Sequence, residues 1–269
     1  DMGEVPSVTN TYLTDLDNNN RIYGGRIDIG VYESGYYNCT TIAQKTIYVD
    51  SSVTVAGNGL SWDSAFSNLQ QALFLYTLCP QVDTILVARG TYYPASADTT
   101  ISMDCNGSDT IITALNSLAH FRLPDSLVML GGYPSGGGTY EQRDWNVNRS
   151  ILSGDIDRDG THAGNSYAVV KTINYQDTVV VDGFTVEYGN GIPINQEGGG
   201  WWDGSTTDEA FLHLNHMTFR YNNALLGGGF YADGQKDLLI RNSEFYEDSA
   251  ADRGDRKSTR LNSSHDQIS

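Results

Sequence analysis

The segment GGGWWDG at residues 198–204 returns as GGGFYADG at residues 227–234. Each copy is followed by a short apolar-alternating run: FLHLNHMTFRYNNA ends at Ala224 and LLIRNSEFYEDSA ends at Ala250. An earlier, looser copy is VVVDGFTVEYGNG, residues 179–191. Self-similarity at this period predicts stacked repeats rather than one closed globule. The apolar runs are too short for helices, are rich in Val, Ile, Phe and Tyr, and end on Gly, Asn and Asp turns. Short strands recurring about every 25–30 residues predict an all-β parallel solenoid, each coil hydrogen-bonded to the next at about 4.8 Å. Val181, Phe184, Val186, Leu212, Leu214, Phe219, Leu238, Ile240 and Phe245 are its expected inward residues, each stabilising by roughly 1.5–3 kcal/mol when fully buried. The glycine triplets are expected at corners, where the backbone turns tightly or takes φ > 0. An antiparallel meander competes with this reading, but two-residue hairpin turns do not recur between the runs.

The chain has 269 residues and a net charge of −17, with 29 glycines and 17 tyrosines. Such acidity disfavours nucleic acid and anionic membrane as partners, because both need clustered Lys and Arg. No apolar run approaches 18 residues, so no membrane span is expected. The Asn-, Gly- and Tyr-rich acidic composition suits an extracellular or cell-surface protein, although acidity also serves simple solubility. Cys39, Cys79 and Cys105 have no metal-binding spacing. Cys79 and Cys105 flank a loop-rich region and are the disulfide candidate in an oxidising compartment, with Cys39 left over; free thiols are the alternative.

Moving outward to the N-terminus, DLDNNNRIYGGRIDIGVYE spans residues 15–33, with a turn at residues 18–20 and a strand expected over RIDIGVY, residues 26–32. Its D-x-D, R-I and IDIGVYE elements resemble the closing segment of a right-handed parallel β-helix domain, pectin-lyase-like in fold, of large secreted or surface proteins of Bacteroidetes type. Residues 1–38 are therefore expected to be the C-terminal tail of a preceding β-helix domain, and 39–45 a linker. Residues 46–254 are expected to hold the N-terminal cap and first coils of a second. In residues 47–76, a strand at Ile47, Tyr48 and Val49 leads to a turn at residues 57–59. A helix follows, with Ser61 or Asp63 as N-cap and Ala65, Leu69, Ala72, Leu73 and Tyr76 on one face. I-Y-V-D, G-x-S-W-x-x-A-F and L-Q-x-A-L resemble the N-terminal cap of the same family. That resemblance makes the helix a cover for the first coil and places Trp62 and Phe66 in the cap core. DTILVARGTYYP (residues 83–94) resembles the family's first coil, and QRDW with RSILSGDI resembles a later one. Residues 95–118 read as a polar insertion.

Two local patterns carry chemistry. GDIDRDGTHAG, residues 154–164, sets Asp155, Asp157, Asp159 and Gly160 as the D-x-D-x-D-G opening of a calcium loop, whose alternating carboxylates could wrap a hard cation. Its twelfth position is Ser166 rather than a bidentate Glu, so the competing reading is a solvated acidic turn. Trp201–Trp202 and Phe230–Tyr231 follow the two glycine triplets. Strand alternation turns one ring of each pair outward, and Trp202 and Tyr231 are the carbohydrate-contact candidates. Finally, DRKSTRLNSSHDQIS, residues 255–269, resembles the conceptual translation of a sequencing-library adapter. It is expected to be a non-native, unstructured tail that truncates the β-helix at its C-terminal end.

The function these features predict is a non-catalytic extracellular or cell-surface β-helix repeat protein, adhesin-like or glycan-contacting, with polysaccharide or a surface glycan as partner and no cofactor beyond a candidate Ca²⁺. The alternative is a polysaccharide lyase or glycosidase on the pectin-lyase-like fold. Asp182, Glu187, Asp203, Asp233, Arg220 and Arg241 are its raw material, but they form no motif, so no catalytic residue is assigned.

Overall fold

The computed structural model describes residues 44–54, 57–94, 117–173, 175–204, 211–232 and 237–253. It also describes Cys39, Ile42 and the short strands Ile22–Tyr23, Arg26–Ile27, Ile101–Met103, Asp109–Ile111 and Thr259–Leu261. The chain divides into two compact units, Asp1–Ala43 and Gln44–Ser269. In the first, Ile22–Tyr23 pairs antiparallel with Arg26–Ile27. The expected strand over residues 26–32 is described only in that pair; the rest lies outside the described residues.

Among the described residues the second unit is built mainly on three open sheets, with Asn223–Leu226 and Ser249–Arg253 as a separate parallel pair. The first contains Thr46–Val49, Thr84–Ala88, Val128–Tyr133, Val179–Asp182, Phe211–Asn215 and Asp237–Arg241 in that spatial order. The second runs through Gly90–Tyr92, Ser150–Ser153, Phe184–Glu187, Thr218–Arg220 and Ser243–Tyr246. The third holds Phe121–Leu123, Val170–Thr172, Trp201–Asp203 and Phe230–Ala232. Every pairing among these strands is parallel. From Val128 to Tyr246 the chain visits first, second and third sheet in that fixed order and then repeats. Among the described residues the protein is thus all-β, with stacked parallel sheets and a single α-helix, and no sheet closes on itself.

Register places like on like. Val181 faces Leu214, which faces Ile240. Val186 faces Phe219, which faces Phe245, and the last two rings stack at 4.6 Å between centroids. Seven of the nine expected inward residues are buried. Leu238 and Phe245 are only half-buried. Leu238 lies on the edge strand of its sheet, and Phe245 stacks on Phe219 from one side.

The corners need unusual backbone. Between first- and second-sheet strands, Gly183, His216 and Asn242 all have positive φ, and after the second-sheet strands so do Tyr188, Tyr221 and Glu247. A single left-handed residue between two strands makes a sharp bend, at a cost of about 1–2 kcal/mol for a non-glycine. In the glycine triplets only the first members, Gly198 and Gly227, are left-handed. The other four have no room: a Cβ on Gly199 would sit 2.3 Å from the Asn223 carbonyl oxygen, and one on Gly228 2.4 Å from that of Ser249. The triplets therefore serve close rung-to-rung approach as much as turning. Beside them Asn222 is fully buried. It accepts from Gly189 N at 2.9 Å and donates to the Val186 carbonyl and to Asp248 Oδ1.

Helix α1 spans Leu69–Leu78, later than the expected start at Ser61 or Asp63. Ser61 instead caps a 3₁₀ turn at Trp62–Ser64, and Phe66 is held extended by a bridge to Val49. The helix cap is Asn68, whose Oδ1 accepts from Gln70 N at 2.8 Å. Leu69, Ala72, Leu73, Leu75 and Tyr76 are buried while Phe74 and Leu78 are exposed. Phe66 is buried, and the Trp62 ring lies against Tyr48 and Tyr133 at 5.0 and 5.2 Å.

Two expectations are corrected. Cys39 and Cys79 are both disulfide-bonded, so Cys39 is not the leftover thiol; Cys105 lies outside the described residues. Spacing misled here, because loop length along the chain does not report which thiols meet in space. Within residues 255–269, Thr259–Leu261 forms a strand antiparallel to Ser243–Tyr246. An open edge pairs with any extended segment within reach, whatever that segment's origin.

Four buried phenols, Tyr76, Tyr92, Tyr133 and Tyr175, sit above their ordinary range. Burial is the main cause at Tyr76, Tyr92 and Tyr175; Asp83, Asp125 and Asp177 add to it at Tyr76, which is pushed up to about 12, and Asp203 adds at Tyr175. Raised folded values mean that these groups stabilise fully below the unfolded value of about 10 and lose that contribution as pH rises through the folded values. The melting temperature is therefore expected to be unaffected by them up to about pH 9.5 and to fall above pH 10. A calorimetric series with tyrosinate absorbance checks this; a level profile through pH 12 would contradict it.

Candidate carbohydrate-contact face and acidic loop

On three of the four third-sheet strands the side chains alternate between buried and outward positions. Phe121, Val170 and Trp201 are buried, and Trp201 Nε1 donates to Thr172 Oγ1 at 3.0 Å. The residues between them face out. Arg122 pairs in register with Lys171, Lys171 with Trp202 and Trp202 with Tyr231. Arg122 is exposed and the other three are half-buried. The outward candidates Trp202 and Tyr231 thus stand on adjacent strands in one column. The Trp202 ring lies on Gly204, where an added Cβ would come within 2.3 Å of it, and Lys171 Nζ sits 5.4 Å from the ring centroid. Sequence alternation gave the two aromatics; it gave no hint that Lys171 and Arg122 continue their line, because register is set by distant turns.

The acidic loop lies in the bend between Ser150–Ser153 and Val170–Thr172. One carboxylate oxygen each from Asp155, Asp157 and Asp159 falls within 4.8 Å of the others, with Asp155 buried and the other two exposed. Asp155 accepts from Asp159 N and Gly160 N, both at 3.1 Å. Asp159 accepts from Thr161 N and Thr161 Oγ1. The Asp157 carboxyl is held above the ordinary carboxylate range by desolvation within the loop, then by Asp155 and Asp159 crowding it. Arg158, between them in sequence, points away onto the Tyr93 ring. Asn165 Nδ2 ties Thr161 O to Tyr188 O. Asn165 Oδ1 and Ser166 Oγ are buried without a hydrogen-bond partner among the described residues. The loop is therefore rich in oxygen donors and short of positive charge, a combination that suits a hard cation.

Four of the six residues that form the raw material for catalysis are tied up in other contacts. Glu187 receives Arg220 at 2.6 Å, and Arg220 Nη1 donates to Tyr246 Oη at 3.1 Å. Asp203 is fully buried and accepts from Tyr175 Oη. Arg241 is exposed, and Asp233 lies outside the described residues. Asp182 takes Arg143 at 3.0 Å, His216 Nδ1 at 3.1 Å and Asn215 Nδ2 at 3.0 Å. His216 stacks on Trp145 with centroids 3.6 Å apart. Sequence reading missed that cluster, in which Asp182 draws partners from 33 to 39 residues away along the chain. It also missed a second aromatic line at the bend, His162–Tyr188–Tyr221–Tyr246, with centroid spacings of 5.7, 5.3 and 6.0 Å. The equivalent positions of Tyr188 and Tyr221, each just after a second-sheet strand, were the available signal.

No protein-family model, curated protein or solved structure matches the chain.

The Arg143 side chain is 3% exposed and also donates to the carbonyls of Gly131 and Asp182. Replacing it by Met strands several acceptors at once, so Arg143→Met is expected to cost about 3 kcal/mol in urea unfolding. A loss below roughly 1 kcal/mol would show that water takes over these contacts.

Proposed function

We propose that this chain is a non-catalytic, extracellular or cell-surface repeat protein, an adhesin-like or glycan-contacting scaffold, whose stacked sheets wind as a right-handed, pectin-lyase-like β-helix with α1 as its cap. The observation that carries the reading is the outward pair Trp202 and Tyr231, one strand apart in register on a parallel sheet. Rings at strand spacing offer a platform to successive sugars. The disulfide-bonded Cys39 and Cys79 favour an oxidising compartment. No helix among the described residues is long and apolar enough to cross a membrane. Asp182, Glu187, Asp203 and Arg220, four of the residues available for chemistry, are engaged in contacts within the scaffold, which favours the scaffold over the lyase or glycosidase alternative.

The chain is expected to bind glycans on an oligosaccharide array, with Trp202→Ala and Tyr231→Ala each weakening binding about ten-fold while leaving the melting temperature within a few degrees. Unsaturated or reducing-end product released on incubation would replace this reading with the enzymatic one.

In the same reading the acidic loop takes Ca²⁺ as a clamp on the bend, through Asp155, Asp157 and Asp159. Calcium at millimolar concentration is expected to raise the wild-type melting temperature by several degrees and to leave Asp157→Asn unmoved. An equal response in both proteins would remove calcium from the loop.

A further inference from the structure

The outward column of the third sheet contains an arrangement that folding alone does not favour. Arg122 and Lys171 are directly opposed partners on adjacent parallel strands, and like charges so placed destabilise a sheet. Neither makes an ion pair with a described residue, whereas Arg143 and Arg220 each do. The two cations stand together on a chain of net charge −17 that has only four lysines. His120, at the start of the same strand, feels both: burial first, then Lys171 and Arg122, lower its pKa. Burial likewise lowers the pKa of Lys171, so its charge is held under strain beside Trp202.

We propose that the column Arg122–Lys171–Trp202–Tyr231 binds an acidic glycan, whose sugar rings stack on Trp202 and Tyr231 and whose carboxylate or sulfate groups pair with Lys171 and Arg122. The proposal rests on the glycan-contact reading above and adds the charge of the ligand. The four positions span three strand intervals, about 14 Å, enough for a short run of sugars laid across the strands. Aromatic faces accept the apolar side of a sugar, and the cations supply charge-assisted hydrogen bonds at one end of the same line. An anion between Arg122 and Lys171 removes their mutual repulsion, so binding energy comes partly from relieving a cost already present in the free protein. The overall negative field repels polyanions from most of the surface, which confines their binding to a local excess of positive charge such as this one.

The test uses the full chain against matched ligands: hyaluronan, alginate and polygalacturonate chains, each beside its carboxyl-reduced neutral form, and dextran sulfate beside dextran. The acidic member of at least one pair is expected to bind more than ten-fold tighter than its neutral partner. Which pair responds distinguishes carboxylate from sulfate recognition. Arg122→Gln with Lys171→Gln is expected to abolish that difference while neutral binding persists; Trp202→Ala weakens both. Lys45→Gln, at a surface lysine paired with Asp83, is expected to change nothing. Unaltered melting temperatures show that the variants fold. Equal binding of acidic and neutral forms overturns this proposal and leaves the glycan-contact reading standing. Binding of neither overturns both, and tighter binding to single-stranded DNA than to any glycan replaces the sugar with a nucleic acid.

Discussion

Everything in the second unit depends on register between parallel strands. Because side chains alternate, a slip of one residue would carry Trp201 outward and Trp202 inward and would invert every rung above and below. Several devices hold the register. Single left-handed residues fix where each strand ends, at Gly183, His216 and Asn242 and again at Tyr188, Tyr221 and Glu247. Asn222 binds backbone or side-chain atoms of two other rungs from a fully buried position. Glycines 199, 200 and 228 let adjacent backbones approach at distances that any side chain would block, and Gly229 makes room for the Asp248 carboxylate. Polar satisfaction and close packing thus choose the same alignment that the apolar column prefers.

The charged residues follow a related division. Where carboxylate and guanidinium meet, across strands as in Glu187 with Arg220 or from a loop as in Asp182 with Arg143, they fasten neighbouring rungs. Where like charges gather, as in the acidic loop and in Arg122 with Lys171, nothing among the described residues neutralises them. Burial counts against the Arg220 charge, yet the hydrogen bond to Tyr246 and the Glu187 carboxylate carry its pKa upward, so it stays paired at any physiological pH. The first group belongs to stability and the second to whatever the surface meets.

Much of this was legible in the sequence, and the reasons differ by feature. The GGGWWDG and GGGFYADG copies gave the parallel stacking and the inward or outward sense of Trp201, Trp202, Phe230 and Tyr231, because both follow from local periodicity. The helix start was misplaced because Ser61 is a good cap for either helix type, and only the Phe66 bridge to Val49 decides between them. The disulfide was misassigned because pairing depends on approach in space. The Arg122–Lys171 pair and the Asp182–His216–Trp145 cluster were invisible for one common cause. Their members come from different rungs, and the sequence distance between rungs varies with each connecting loop.

That variation has a consequence of its own. Where every connecting residue is described, the chain takes three different routes from a second-sheet strand to the next third-sheet strand: the acidic loop before Val170–Thr172, a 3₁₀ turn at Ile192–Ile194 before Trp201–Asp203, and an additional strand at Asn223–Leu226 before Phe230–Ala232. The ladders on either side keep step across all three. This bend is consequently the place where foreign loops can be grafted, or new ones can arise by duplication and drift, without retuning the scaffold that displays them.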